Sequence, residues 1–213
     1  MQLKSKQRVA DFGEVYTHER EVNAMLDLVQ SQTERIDARF LEPACGTGNF
    51  LVEILRRKLA VAAKRYGKSQ LEYERNAVIA VSSIYGIELL PDNVAACRER
   101  LLEIFQSRYQ NLFPKTFKTE CLRAAEYILA ENILCGDALT LKQNNGAPIE
   151  FAHWSMVGSK IQRRDYVYRE LIEHDTGTTD ADLFSDGRRN AEDLILKPLK
   201  THPSVHFLEV GHG

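Results

Sequence analysis

The stretch RFLEPACGTGNFLVEILRRKL, Arg39 to Leu59, constrains the fold more than any other part of the chain. A short apolar strand runs into Gly46 and Gly48, and a helix begins at once at Asn49. A helix start exposes unpaired backbone N–H groups and a partial positive charge. Glycines beside it let a ligand come close to that backbone. The segment therefore predicts a strand–turn–helix unit of an α/β protein whose turn faces a guest with a polar tail.

The flanking sequence extends this unit. Thr17 caps a helix with Glu19 and Glu21 in its first turn, and Val22, Met25, Leu26 and Val29 recur at one-face spacing. SQTERIDA is a polar connection, and Arg39 to Glu42 is a strand. The helix from Asn49 reaches Tyr66, where Gly67 stops it, and a second helix spans Gln70 to Ser82. IYGIEL is the next strand. Pro91 opens a helix to about Tyr109, with Val94, Cys97, Leu101, Leu102 and Phe105 inward. Another helix covers Thr119 to Ala130 and leads into the strand NILCGDAL.

Strands alternating with helices mean crossover connections and a parallel sheet. Three strands end in small or acidic clusters: Glu42 to Gly48, Glu88, and Asp137. Ligands of open α/β sheets bind outside the carboxyl ends of the strands, so these clusters are expected to meet at one edge. After Asp137 the pattern degrades. KQNNGAP reads as a loop in which Asn144 and Asn145 make a turn, and IEFAHW is a strand candidate. SKIQRRDYVYRELIEH is helical at best in its second half, DTGTTDADLFSDGRRN is loop-like, and VHFLEV is a last strand candidate.

Bulk properties narrow the class. The 213 residues suffice for one sizeable α/β domain. Lys plus Arg is 28 against 30 Asp plus Glu, a formal net charge of −2, without the basic excess of a stand-alone nucleic-acid binder. The four cysteines, Cys45, Cys97, Cys121 and Cys135, form no C-x-x-C pair and no zinc spacing, so they read as reduced thiols of a cytoplasmic protein that holds no metal. The N-terminal stretch lacks the apolar core of a signal peptide, and no apolar run has membrane-spanning length.

Two common guests of a glycine turn do not fit. No Lys-Ser/Thr follows the glycines, which excludes a Walker A loop. The third glycine of a dinucleotide fingerprint is replaced by Leu51, and the acidic Glu88 stands about forty residues on rather than about twenty. The phrase FLEPACGTGNF instead resembles motif I of S-adenosylmethionine-dependent DNA methyltransferases, specifically the amino-methylating, adenine-specific enzymes. GEVYTHEREVNAMLDLV resembles their motif X, with His18 in place of the usual proline. IYGIEL resembles motif II, and NILCGDAL resembles motif III.

The resemblance covers about residues 8 to 140 and implies a Rossmann-like methyltransferase fold, a mostly parallel sheet flanked by helices with an irregular C-terminal third. It implies a cofactor-binding core over residues 1–150, and over 151–213 the remainder of the core with no separate target-recognition domain. It also implies S-adenosyl-L-methionine as cofactor. Tyr16, Thr17, Glu42, Pro43, Ala44, Cys45, Gly46, Gly48, Asn49 and Phe50 would surround its methionine end. Glu88 would bond the ribose hydroxyls, since a carboxylate offers acceptors and no donor. Asp137 and the backbone N–H of Ala138 would meet the adenine edge, with Ile87, Leu89 and Leu139 as candidates for the apolar slot around the ring.

The family's Asn/Asp-Pro-Pro-Tyr/Phe tetrapeptide occurs nowhere in the chain. Its oxygens would accept the target amine's hydrogens, and its aromatic ring would stack on a flipped base. By spacing it belongs near Phe151 to Gln162, where Trp154 or Tyr166 could stack and Ser155 could accept a hydrogen bond. Lys160, Arg163, Arg164, Arg188 and Arg189 could grip phosphates or form a solvated face. Three functions follow: a DNA adenine methyltransferase of a modification or restriction-modification system, a catalytically inactive cofactor-binding subunit or regulator that reaches DNA through a partner, and a methyltransferase with another acceptor.

Overall fold

The computed structural model describes residues 17–170 and 197–211. Tyr16, Arg188, Arg189 and the DTGTTDADLFSDGRRN segment lie outside the described residues. Helix α1 (Glu19–Asp27) and the short α2 (Gln30–Thr33) precede strand β1 (Phe40–Glu42). Helices α3 (Asn49–Tyr66) and α4 (Gln70–Ser82) lead to β2 (Ile84–Glu88). Helices α5 (Pro91–Leu112) and α6 (Thr119–Asn132) lead to β3 (Ile133–Asp137) and the short β4 (Lys142–Gln143).

The first sheet has the order β1-β2-β3-β4. Its first three strands are parallel, with Phe40 opposite Ile84 and Gly86 opposite Ile133, and β4 runs antiparallel to β3. This is a mixed α/β fold built around a parallel sheet. Every residue of β2 is buried, as expected of a central parallel strand covered on both faces. On one face Ile84 joins the main core with Leu51, Leu55, Val81, Leu101 and Ile128 of the helices. On the other, Tyr85 and Ile87 pack against Ile149 and Phe151.

Ile149 and Phe151 introduce a hairpin that the sequence pattern had hidden. Strand β5 (Glu150–Val157) pairs antiparallel with β6 (Lys160–Val167) around Gly158-Ser159. Residues 160–167 of SKIQRRDYVYRELIEH are thus a strand, and of the described residues after it 168–170 turn helical. Strands β7 (Lys200–Thr201) and β8 (Val205–His206) add to β6. The signal for the hairpin was a two-residue Gly-Ser loop between equal runs. The charged run Gln162 to Asp165 disguised it: Asp165 is buried with Arg163 bonded to it at 2.5 Å, so charges occupy positions that periodicity assigns to apolar residues.

At the N-terminus two local expectations change. The N-cap of α1 is His18 rather than Thr17, and the His18 N–H donates to Glu21. The helix buries Val22 and Leu26, whereas Met25 is exposed within it and Val29 is exposed beyond its end at Asp27.

Candidate functional site

The turn after β1 is tied to β2 before it reaches the helix. The N–H of Cys45 donates to Ile87 O at 3.0 Å, and that of Gly48 donates to Cys45 O at 2.8 Å. Both glycines have left-handed backbones, Gly46 at φ 53° and Gly48 at φ 85°, where an L side chain is strained. Their surroundings differ. A Cβ on Gly48 would stand 2.6 Å from Cys97 Sγ, whereas a Cβ on Gly46 would meet no atom within 4 Å. Gly46 thus presents bare backbone to open space, and Gly48 lets α5 pack beneath the turn.

Glu88, at the end of β2, is the polar hub of this region. Its Oε2 accepts the Gly46 N–H at 2.9 Å, and its Oε1 accepts the Leu90 N–H at 3.0 Å and Asn93 Nδ2 at 3.2 Å. The carboxylate is 9% exposed, so those donors supply what water would otherwise give. Arg100 of α5 clamps the turn from the other side, donating to Thr47 O, to Thr47 Oγ1 at 3.1 Å and to Asn49 Oδ1 at 3.0 Å. Asn49 Nδ2 in turn donates to Thr17 O at 3.3 Å, which brings the start of α1 to the same turn.

Charge is confined within this cluster. Burial raises the Glu42 carboxyl, opposed by the Ala44 N–H that bonds it. The Cys97 thiol beside it, and then burial, push the Cys45 thiol up, so the Cys45 sulfur packs as a neutral group. Pro43 and Ala44 are exposed, and Phe50 packs against the main core. Asp137 stands at the same sheet end, two residues past the Cys135 that pairs with Glu88. Its carboxylate accepts the Leu139 N–H at 2.8 Å and the Thr140 hydroxyl at 3.0 Å, bonds that lower its pKa. Ala138 packs in the smaller cluster with Ile87, while Leu89 and Leu139 are exposed.

The residues near 151–166 lie elsewhere. Trp154 is buried, its Nε1 donates to Asn132 Oδ1 at 2.8 Å, and its ring meets Tyr127 edge-on. Asn132 also donates to Ser82 O and Ile84 O, at the amino ends of β2 and β3. Trp154 is therefore separated from Glu88 and Asp137 by the length of five-residue strands, roughly 15 Å. Ser155 pairs with Gln162 still further along β5, and Tyr166 sits edge-on to His153. Among the basic residues, Arg163 is committed to Glu131 and Asp165, and Arg164 bonds Gln162.

Sequence reasoning missed Asn93, Cys97 and Arg100 as parts of the site. Their α5 spacing carried only a helical signal, and their roles depend on where that helix lies under the turn. Among the described residues no helix is long and apolar enough to cross a membrane, and no group of three or more His, Cys, Asp or Glu could hold a metal ion. In comparisons with known proteins, the family described as "MmeI, DNA-methyltransferase domain" matches residues 15–158, more than half of the chain. No curated protein matches, and neither does any solved structure.

Proposed function

Since the chain belongs to the MmeI DNA-methyltransferase domain family, we propose that it forms the S-adenosyl-L-methionine-binding core of a DNA methyltransferase of the adenine amino type, within a modification or restriction-modification system. The observation that carries this reading is the open backbone at Gly46, joined by its own N–H to a carboxylate at the end of the neighbouring parallel strand. A guest with an amino-acid tail and vicinal hydroxyls fits that pairing of backbone and acceptor. When bound, S-adenosyl-L-methionine supplies a sulfonium-activated methyl group.

The chain's own part is to bind and orient. The turn from Glu42 to Phe50, with Tyr16 and Thr17, holds the methionine end. Glu88 keeps about one lone-pair site beyond those its three described donors use, and this accepts a ribose hydroxyl. Asp137 and the Ala138 N–H read the adenine edge, with Leu89 against the ring. In this reading the sheet is one half of a doubly wound, Rossmann-like arrangement, residues 1–150 form the cofactor core, 151–213 complete it, and the protein acts on DNA in the cytoplasm.

A second reading has a specific observation behind it. Trp154 is committed to the core at the amino ends of the strands, and the chain has no Asn-Pro-Pro-Tyr tetrapeptide. This favours a cofactor-holding subunit whose acceptor site is supplied elsewhere. Calorimetric titration with S-adenosyl-L-methionine, followed by transfer of a labelled methyl group to unmethylated DNA with RNA in parallel, separates the two. Binding with label in methyladenosine supports the enzyme. Binding without label supports the subunit, and no binding removes both.

A further inference from the structure

The turn between β1 and α3 is rich in oxygen acceptors, yet the guest proposed for it carries a carboxylate. A turn oxygen aimed at that carboxylate repels it, and an oxygen held by a donor of the protein does not turn that way. Backbone N–H groups hold two of these oxygens: Gly48 N–H donates to Cys45 O at 2.8 Å, and Val52 N–H donates to Gly48 O at 2.8 Å. Arg100, partly buried on α5, holds three more. Its Nη1 donates to Thr47 O, to Thr47 Oγ1 at 3.1 Å and to Asn49 Oδ1 at 3.0 Å. One cation thus gathers oxygens from both sides of the left-handed Gly48.

The hydrogen-bonding capacity of each group then assigns its part. A threonine hydroxyl has one hydrogen and two lone pairs. With Arg100 on a lone pair of Thr47 Oγ1, the hydroxyl hydrogen is left to donate to another acceptor. The Asn49 amide is oriented by its partners, Oδ1 toward Arg100 and Nδ2 donating to Thr17 O at 3.3 Å. Asn49 therefore ties the start of α1 to the turn. We propose, resting on the cofactor reading above, that Arg100 is a positioning residue for the amino-acid tail of S-adenosyl-L-methionine: it keeps the oxygens of Thr47 and Asn49 from the tail's carboxylate and leaves the Thr47 hydroxyl as a donor to it. Arg100 acts through the turn, so its effect falls on the carboxylate. The ribose and adenine are received by Glu88 and Asp137 at the ends of other strands.

The test measures, by calorimetry on the full chain, the affinity for S-adenosyl-L-methionine and for its decarboxylated form, which keeps the nucleoside, the sulfonium and the amine. The readout is the ratio of the two affinities. Wild type is expected to favour the carboxylate-bearing ligand at least about tenfold, the worth of hydrogen bonds to a charged group. Arg100→Met and Thr47→Val are each expected to bring that ratio down, with affinity for the decarboxylated form nearly unchanged. Arg100→Lys, whose ammonium still brings three hydrogens, is expected to restore part of the ratio. Loss of packing alone weakens both ligands alike and leaves the ratio where it was. If urea unfolding shows that Arg100→Met does not fold, the near-isosteric Thr47→Val carries the same comparison. A ratio near one in wild type, or variants that keep the wild-type ratio, would overturn the proposal and leave the cofactor reading standing. Wild type that binds neither ligand would remove the cofactor reading, and the proposal with it.

Discussion

The carboxylate of Glu88 accepts the backbone N–H of Gly46 at 2.9 Å, across 42 residues of sequence. This bond fixes the turn after β1 against the end of β2, and it makes one side chain responsible for both the shape and the polarity of the site. Glu88→Ala leaves the Gly46 and Leu90 N–H groups and Asn93 without their acceptor. The expected cost is roughly 1–3 kcal/mol in urea unfolding, with affinity for S-adenosyl-L-methionine reduced at least about tenfold in calorimetry. Unchanged affinity would remove Glu88 from the cofactor site.

The two glycines of the turn separate binding from stability. Gly46→Ala costs about 1–2 kcal/mol for its left-handed backbone, clashes with nothing, and places a methyl where the cofactor tail is proposed to lie. Gly48→Ala drives its methyl into Cys97 Sγ and adds an overpacking cost of about 1–3 kcal/mol. Gly46→Ala is therefore expected to lose binding with modest loss of stability, and Gly48→Ala to lose more stability. Denaturant unfolding beside calorimetry reads both.

Lys58 is fully buried, with Nζ within hydrogen-bonding distance of Ile36 O at 3.2 Å, of Ala38 O and of Ser83 Oγ at 2.5 Å; the ammonium donates to all three, and the neutral amine to two of them. Burial lowers its pKa to about 7. A lysine ordinarily titrates near 10.4, so between these values the unfolded chain holds a proton that the folded chain has released. The contribution of Lys58 to stability is accordingly complete only above the unfolded pKa and is lost as pH falls through about 7. Wild type is expected to gain stability relative to Lys58→Met as pH rises from about 7 to 9. A pH-independent difference in melting between the two would show that the amine is not held neutral.

Trp154→Phe tests where that ring acts. It leaves Asn132 Oδ1 without its indole donor, at an expected cost of roughly 1–3 kcal/mol. Cofactor affinity is expected to stay unchanged, because the ring stands at the opposite ends of the strands. A stable variant with altered cofactor or DNA binding would contradict that placement.

Much of the site was legible because its parts are local. Helix α3 and the glycines before it, helix α4, and the strands ending at Glu88 and Asp137 follow from periodicity, caps and turn residues within a few positions of one another. The clamp by Arg100, the contact of Cys45 with Cys97 and the polar hub around Glu88 were not legible. Each joins residues far apart in sequence, and helical spacing alone does not say which side chain of α5 lies beneath the turn.

By itself the sequence determined an α/β chain with a glycine turn at a strand end, since strand–helix alternation and turn chemistry are set by residues close to one another in the chain. Only the tertiary structure decided that β1 is, among the described strands, the outer one of its sheet, that Trp154 is a core residue bonded to Asn132, and that Lys58 is buried on backbone carbonyls. The reason is physical. Edge or centre, core or site, and charged or neutral are properties of what packs alongside a residue. That is set by the register of distant segments, such as the β5–β6 hairpin covering Tyr85 and Ile87, rather than by the residue's own neighbours in the chain.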